Sequence, residues 1–168
     1  MVIISSQNDD GRYIHYRLLG YKGDKITAYM EQNYVVGGEI EVVDGVLKET
    51  RLIPNNYIEK EDNVEMRKII TYYIPYQTDE AGEIIPSAEN IRVNKGDYIA
   101  VVGDKSIPIE VLNSNLLLDW DRVDRYLYNN KDVKFFYAKS SGHEDLCIRP
   151  LNGNVLKKIS VEIVDDEL

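Results

Sequence analysis

At Asp44-Gly45 the chain has little conformational choice. An Asp-Gly pair between apolar runs favours the positive φ angles of a type I′ turn, which joins two antiparallel strands in a fixed register. Over residues 39–52 that register sets Val43 against Val46, Val42 against Leu47 and Glu41 against Lys48, the last an opposite-charge pair. The same grammar recurs along the chain. From Tyr13 to Leu19, Ile14, Tyr16 and Leu18 alternate with His15 and Arg17, the period of a half-buried strand. Val155 to Val164 carries Ile159, Val161 and Ile163 on one face and Ser160 and Glu162 on the other. Tyr98 to Val102 is continuously apolar after the turn Lys95-Gly96-Asp97, and Met66 to Tyr76 is rich in Ile and Tyr on both faces. Ile107 to Val111, Val133 to Ala138 and Leu146 to Leu151 complete the predicted strands.

Two stretches break the pattern. Leu116, Trp120, Val123 and Leu127 fall at helical spacing, with Ser114 or Asn115 as cap and Asp119 and Asp121 at the positive end of the dipole, which predicts a helix over about 115–129. Residues 59–64 fit a shorter helical turn. Gln77-Thr78-Asp79-Glu80-Ala81-Gly82-Glu83, running on to Pro86-Ser87, predicts a long exposed loop over about 77–90. Strands spaced about every ten residues with turn signals between them predict a mainly β fold. The expected architecture is an antiparallel sandwich or partly open barrel with one packed α-helix, and residues 1–168 form a single β-rich domain.

The totals restrict the function classes. A chain of 168 residues with 43% hydrophobic and 29% charged content can bury a sizeable core. A net charge of −9 suits a phosphate backbone poorly, so direct nucleic-acid binding is not expected. Cys147 is the only cysteine, which removes an internal disulfide. The opening Met1-Val2-Ile3-Ile4-Ser5-Ser6 lacks the basic region of a signal peptide, and no apolar run reaches the length of a membrane span.

Chemistry-bearing clusters are sparse. His143, Glu144, Asp145 and Cys147 are the closest approach to a nucleophile or metal set, but no nucleophile elbow surrounds them and no second ligand pair answers them. A loop histidine beside a structural cysteine is the better reading. Asp119, Asp121 and Asp124 lack the glycine and distal glutamate of a calcium loop, and Arg122 and Arg125 neutralise them. Gly20 to Lys25 and Gly37-Gly38 lack nucleotide-loop spacing. No cofactor, metal or catalytic residue is expected.

Thirteen tyrosines against two phenylalanines and one tryptophan remain to be explained. Tyr pairs a large apolar face with a hydroxyl that wants a partner, which suits interfaces; AT-rich coding, which also favours Ile, Asn and Lys, is the blander account. The expected function is a non-enzymatic structural or interaction subunit of a larger protein assembly. Its most specific form is a bacteriophage virion component of head, neck or tail, found in the virion or the host cytoplasm. Tyr72, Tyr73, Tyr76, Glu80, Glu83, Ile84 and Ile85 are the candidate contact residues with other subunits. Two alternatives stand beside it. An acidic inhibitor or nucleic-acid mimic would use Glu59-Glu61-Asp62, Asp79-Glu80-Glu83 and Asp165-Asp166-Glu167, although Lys60, Arg67 and Lys68 interrupt the acids. An enzyme would need a site assembled from scattered residues.

Overall fold

The computed structural model describes residues 2–7, 12–22, 24–54, 66–103, 109–112, 117–119, 134–151 and 153–165. Among them every regular element is a strand, and the strands form three sheets. The central sheet runs in the order β11 (Leu117–Asp119), β12 (Lys134–Ala138), β9 (Tyr98–Val102), β6 (Met66–Thr78), β5 (Val46–Pro54) and β4 (Glu39–Val43). A short strand, β7 (Ile84–Pro86), pairs with the C-terminal end of β6. A three-stranded sheet has the order β1 (Val2–Gln7), β2 (Tyr13–Lys22), β3 (Lys25–Val36). A four-stranded sheet has the order β10 (Ile109–Leu112), β13 (Gly142–Pro150), β14 (Lys157–Val164), β8 (Asn90–Asn94).

The central sheet is apolar on both faces because both are covered. Ile74, Ile99, Val101 and Phe136 point into one core against Leu146, Ile148, Ile159, Val161 and Ile163 of the four-stranded sheet. Their chain neighbours Tyr73, Ala100, Val102 and Phe135 point the other way, against Tyr16, Leu18, Tyr29 and Met30 of the three-stranded sheet. Successive side chains of a strand leave opposite faces, so a strand buried on both sides reads as a continuous apolar run. That is why Tyr98 to Val102 is buried at every position. A third cluster, Ile53, Ile69 and Tyr98 with Tyr137 packed against it, is drawn from the same central strands. The expectation of a mainly β, sandwich-like fold holds, with three layers of sheet.

Most pairings are antiparallel, but β6 runs parallel to β9 and β8 parallel to β14. Parallel neighbours need a crossover connection. Here the chain leaves β6 through β7, crosses to the facing sheet as β8, and returns as β9.

The β4–β5 hairpin has the register expected from its turn, Val43 with Val46, Val42 with Leu47 and Glu41 with Lys48. Asp44 and Gly45 both adopt positive φ, at 49° and 82°. Ser87 Oγ donates to the Gly45 carbonyl at 2.5 Å, which docks the turn on the segment between β7 and β8.

Two expectations are corrected. Leu117–Asp119 lies inside the expected helix yet forms β11, paired with β12 in the register Leu117 to Ala138 and Asp119 to Phe136. Sheet pairing at the open side of β12 overrides the local helical spacing there; the rest of 115–129 lies outside the described residues, as does 59–64. No helix is present among the described residues. The long loop over 77–90 is also absent. Gln77 and Thr78 still belong to β6, residues 84–86 form β7, and β8 begins at Asn90. What remains is a tight turn in which Asp79 Oδ1 accepts from the backbone N–H groups of Ala81 and Glu83 at 2.9 and 2.8 Å.

Candidate functional site

The candidate contact residues divide between core and surface. Tyr73, Tyr76 and Ile84 are buried within the protein's own cores. Their burial is intramolecular, which removes them from the contact surface proposed from sequence. Ile85 is exposed, as are Glu80 and Glu83, and Glu83 reaches Lys157 at 3.4 Å. Tyr72 is half-buried, packing on the first core and lying under the Lys48 ammonium at 6.0 Å from the ring centre.

A buried polar cluster, unforeseen from sequence, joins the three-stranded sheet to the central one. Leu47, Glu49, Arg51 and Ile53 alternate along β5 and so share one face. Glu49 is fully buried and Arg51 nearly so. Arg51 Nε donates to Glu49 Oε1 at 2.5 Å, and Nη2 lies at 2.5 Å from the same oxygen, outside hydrogen-bond alignment. The Tyr16 hydroxyl donates to Glu49 Oε2 from β2. The Tyr73 hydroxyl donates to Oε1 at 3.4 Å from the neighbouring strand β6, where Thr71 sits directly across from Glu49.

Each charge in this cluster shapes its neighbours. Burial raises the Tyr16 phenol well above its ordinary value, and Tyr73 and the Glu49 carboxylate add to the effect. Burial likewise raises Tyr73, again with help from Glu49. For Arg51, burial alone would lower the pKa, but Glu49 more than offsets this and holds the guanidinium firmly charged. The cluster is therefore a cation, an anion and two neutral phenols. All four side chains are buried where the three-stranded sheet meets the central one, so the cluster acts as a polar clamp between layers. The sequence signal was there: opposite charges at i, i+2 flanked by Leu47 and Ile53 on the same face.

A cleft of about 130 Å³ lies on the opposite face of the central sheet. Val43, Asp44, Val46, Lys48 and Tyr72 line one side, and Asn90, Ile91 and Arg92 of β8 line the other. Lys48 has no carboxylate within ion-pair distance among the described residues, Glu41 across the hairpin included. Arg92 lies 3.9 Å from Glu162, too long for a hydrogen bond.

The residues near Cys147 do not come together. On β13, His143, Asp145 and Cys147 share the outer face while Glu144, Leu146 and Ile148 face the core. Lys158 Nζ contacts Asp145 at 2.7 Å, and that hydrogen bond raises the lysine's pKa. Glu144 is buried, and neither of its carboxylate oxygens has a hydrogen-bond partner. His15 is paired with Asn33 at 3.4 Å on the surface of the three-stranded sheet. Among the described residues no group of three or more His, Cys, Asp or Glu side chains is placed to hold a metal ion. Among them, too, no helix is long and apolar enough to cross a membrane.

Comparison with protein-family models, with curated proteins and with solved structures finds no match.

Proposed function

We propose that the protein is a non-enzymatic structural or interaction subunit of a larger protein assembly, and most specifically a bacteriophage virion component of head, neck or tail. The observation that carries the reading is the open edge of the central sheet. Among the described residues strand β4 ends the sheet, and Val42 and Val43 on it are 53% and 45% exposed. An edge strand presents unpaired N–H and C=O groups, and natural proteins normally blunt such edges. Here Glu39 and Glu41 blunt only part of the strand and leave the two valines uncovered. Further apolar surface stands at the β2–β3 hairpin end, where Tyr21 pairs with Ile26 and both are exposed, and at Ile85. With Tyr73, Tyr76 and Ile84 committed to the core, Tyr72, Glu80, Glu83 and Ile85 remain of the contact residues expected from sequence, and Val42 and Val43 join them.

Surface charge favours this over the acidic mimic. Arg17 with Glu31, Lys158 with Asp145 and Arg149 with Glu110 interleave the two signs, whereas a mimic needs a continuous negative face. The side chains of the polar cluster are committed to one another and buried, which gives the enzyme reading no support from them. The virion form of the proposal leans on the AT-rich flavour of the composition together with the stacked-sheet architecture, and it places the protein in the virion or the host cytoplasm.

Light scattering on the full chain across a concentration series tests the reading. A discrete oligomer is expected, and the Val42→Lys, Val43→Lys double variant should reduce its mass without unfolding the chain. A monomer across the whole series, or an oligomer indifferent to both lysines, overturns assembly through this edge.

A further inference from the structure

We propose that the cleft between β5 and β8 captures the C-terminal residue of an extended chain from a protein partner, with Lys48 binding the terminal carboxylate. The proposal deepens the assembly reading by naming the chemistry of a partner, and in that sense rests on it.

Three features of the cleft converge on such a ligand. The first is size and lining. Val43, Val46, Ile91 and the Tyr72 ring supply apolar walls around about 130 Å³. A cavity on the order of 150 Å³ admits a benzene-sized body, so one aliphatic side chain of a bound peptide fits here. The second is charge. Lys48 is held over Tyr72 with no carboxylate within ion-pair distance among the described residues, and it shares the cleft lining with Arg92 and one carboxylate, Asp44, so the lining carries a net positive charge on an otherwise acidic protein. Charge-assisted hydrogen bonds to a carboxylate are the strong ones, and Lys48 has none to lose.

The third is backbone. Among the described residues strand β8 ends the four-stranded sheet. It pairs with β14 in parallel, Asn90 opposite Ser160, and Ser160 N–H donates to the Glu89 carbonyl at 2.7 Å. Ladder bonds alternate along a parallel strand, so Glu89, Ile91 and Val93 face β14 while the backbone groups of Asn90 and Arg92 turn to the open edge. Those are the residues that line the cleft. An extended peptide added to this edge gains main-chain hydrogen bonds, drops its last side chain between Ile91 and Val46, and brings its carboxylate toward Lys48. Strand addition of this kind takes affinity from the backbone and selectivity from the pocket.

Isotope-labelled full chain titrated with acetyl-Ser-Thr-Ser-Leu, as the free acid and as the C-terminal amide, tests the proposal by amide chemical shifts. Saturable shifts should centre on residues 43–48 and 90–92. The amide should bind on the order of tenfold more weakly, the scale of one charge-assisted hydrogen bond. Lys48→Met should abolish the difference between acid and amide, and Lys48→Arg should preserve it. Should Lys48→Met fail to fold, the acid-to-amide ratio on the unaltered chain still decides. Equal binding of acid and amide, shifts scattered away from the cleft, no binding, or isovalerate alone binding as tightly as the peptide would each overturn it. The titration reads capture whatever the protein's own oligomeric mass. An oligomer that ignores the peptide therefore refutes this site alone, and a monomer that captures it refutes only assembly through β4.

Discussion

Removing either charge of the Glu49–Arg51 pair should cost far more than removing both. Both groups are buried, and the carboxylate takes a guanidinium and two phenols as partners. Arg51→Met leaves the carboxylate among neutral donors, and Glu49→Leu leaves a guanidinium in an apolar layer. Breaking a buried pair this way costs about 3–5 kcal/mol. The double variant keeps no charge, and replacing a whole buried pair by apolar groups is neutral or gains about 1–4 kcal/mol. Against that gain stand the Tyr16 and Tyr73 hydroxyls, each of which loses an acceptor at about 1–3 kcal/mol. At the middle of these ranges the double variant should therefore lie about 2 kcal/mol below the parent, while the two single losses sum to about 6–10. Urea unfolding measures this directly. With a slope of about 2 kcal/mol per molar urea, each single variant should lower the midpoint by about 2 M, and the double should recover much of it. If the two losses add to within about 0.5 kcal/mol, the residues are independent and the clamp does not exist.

Other consequences can be checked on the same material. Tyr16 and Tyr73 have phenols raised by burial above the unfolded value of about 10, so their contribution to stability is full below that pH and is lost as pH rises toward the folded values. Each should give a slope of about −1.4 kcal/mol per pH unit above pH 10; denaturant melts between pH 9 and 11.5 should show it, and Tyr16→Phe should halve the part these two share. Gly45→Ala forces a Cβ to within 2.3 Å of the Ser87 carbonyl oxygen at φ 82°, whereas Gly82→Ala at φ 80° meets only open space. The first should lose at least about 2 kcal/mol and the second about 1; equal losses would mean that the turn is not docked on Ser87. Glu144→Met replaces a buried carboxylate that has no hydrogen-bond partner by an apolar chain of similar length, and should raise the melting temperature by a few degrees. A fall would reveal a partner for that carboxylate.

Sequence pattern specified the parts of the fold governed by neighbours in the chain. The Asp44-Gly45 turn sets its hairpin because two residues fix two φ angles and hence the register. The inward face of β14 was legible because Ile159, Val161 and Ile163 alternate with residues that tolerate water. What covers a second apolar face is not encoded locally. Met66 to Tyr76 looked apolar on both sides, and a neighbouring subunit and a third sheet satisfy that pattern equally well. The three-stranded sheet does the covering, which is why Tyr73 belongs to the core. The expected helix at 115–129 failed at Leu117–Asp119 for a related reason: periodicity cannot report an open sheet edge waiting beside it. Parallel pairing of β6 with β9 escaped notice because its partners meet only after the chain has crossed to another layer.

The tyrosines fit this arrangement on physical grounds. A buried hydroxyl needs an acceptor, and a stack of sheets whose backbone groups are mostly paired offers few. Tyr29 finds one in the Tyr21 carbonyl at 2.8 Å, and Tyr16 and Tyr73 find theirs in Glu49. The carboxylate in turn requires Arg51, so a polar aromatic core on this face carries a buried ion pair with it. Phenylalanine would have filled the same volume without that requirement. What the phenols add is direction: Tyr16 comes from β2 and Glu49 from β5, so their bond fixes how one layer sits along the other, where apolar packing alone tolerates sliding. The proposed contacts through β4 and the β5–β8 cleft would need the layers held in one register, since both surfaces are built from strands whose positions depend on that stacking.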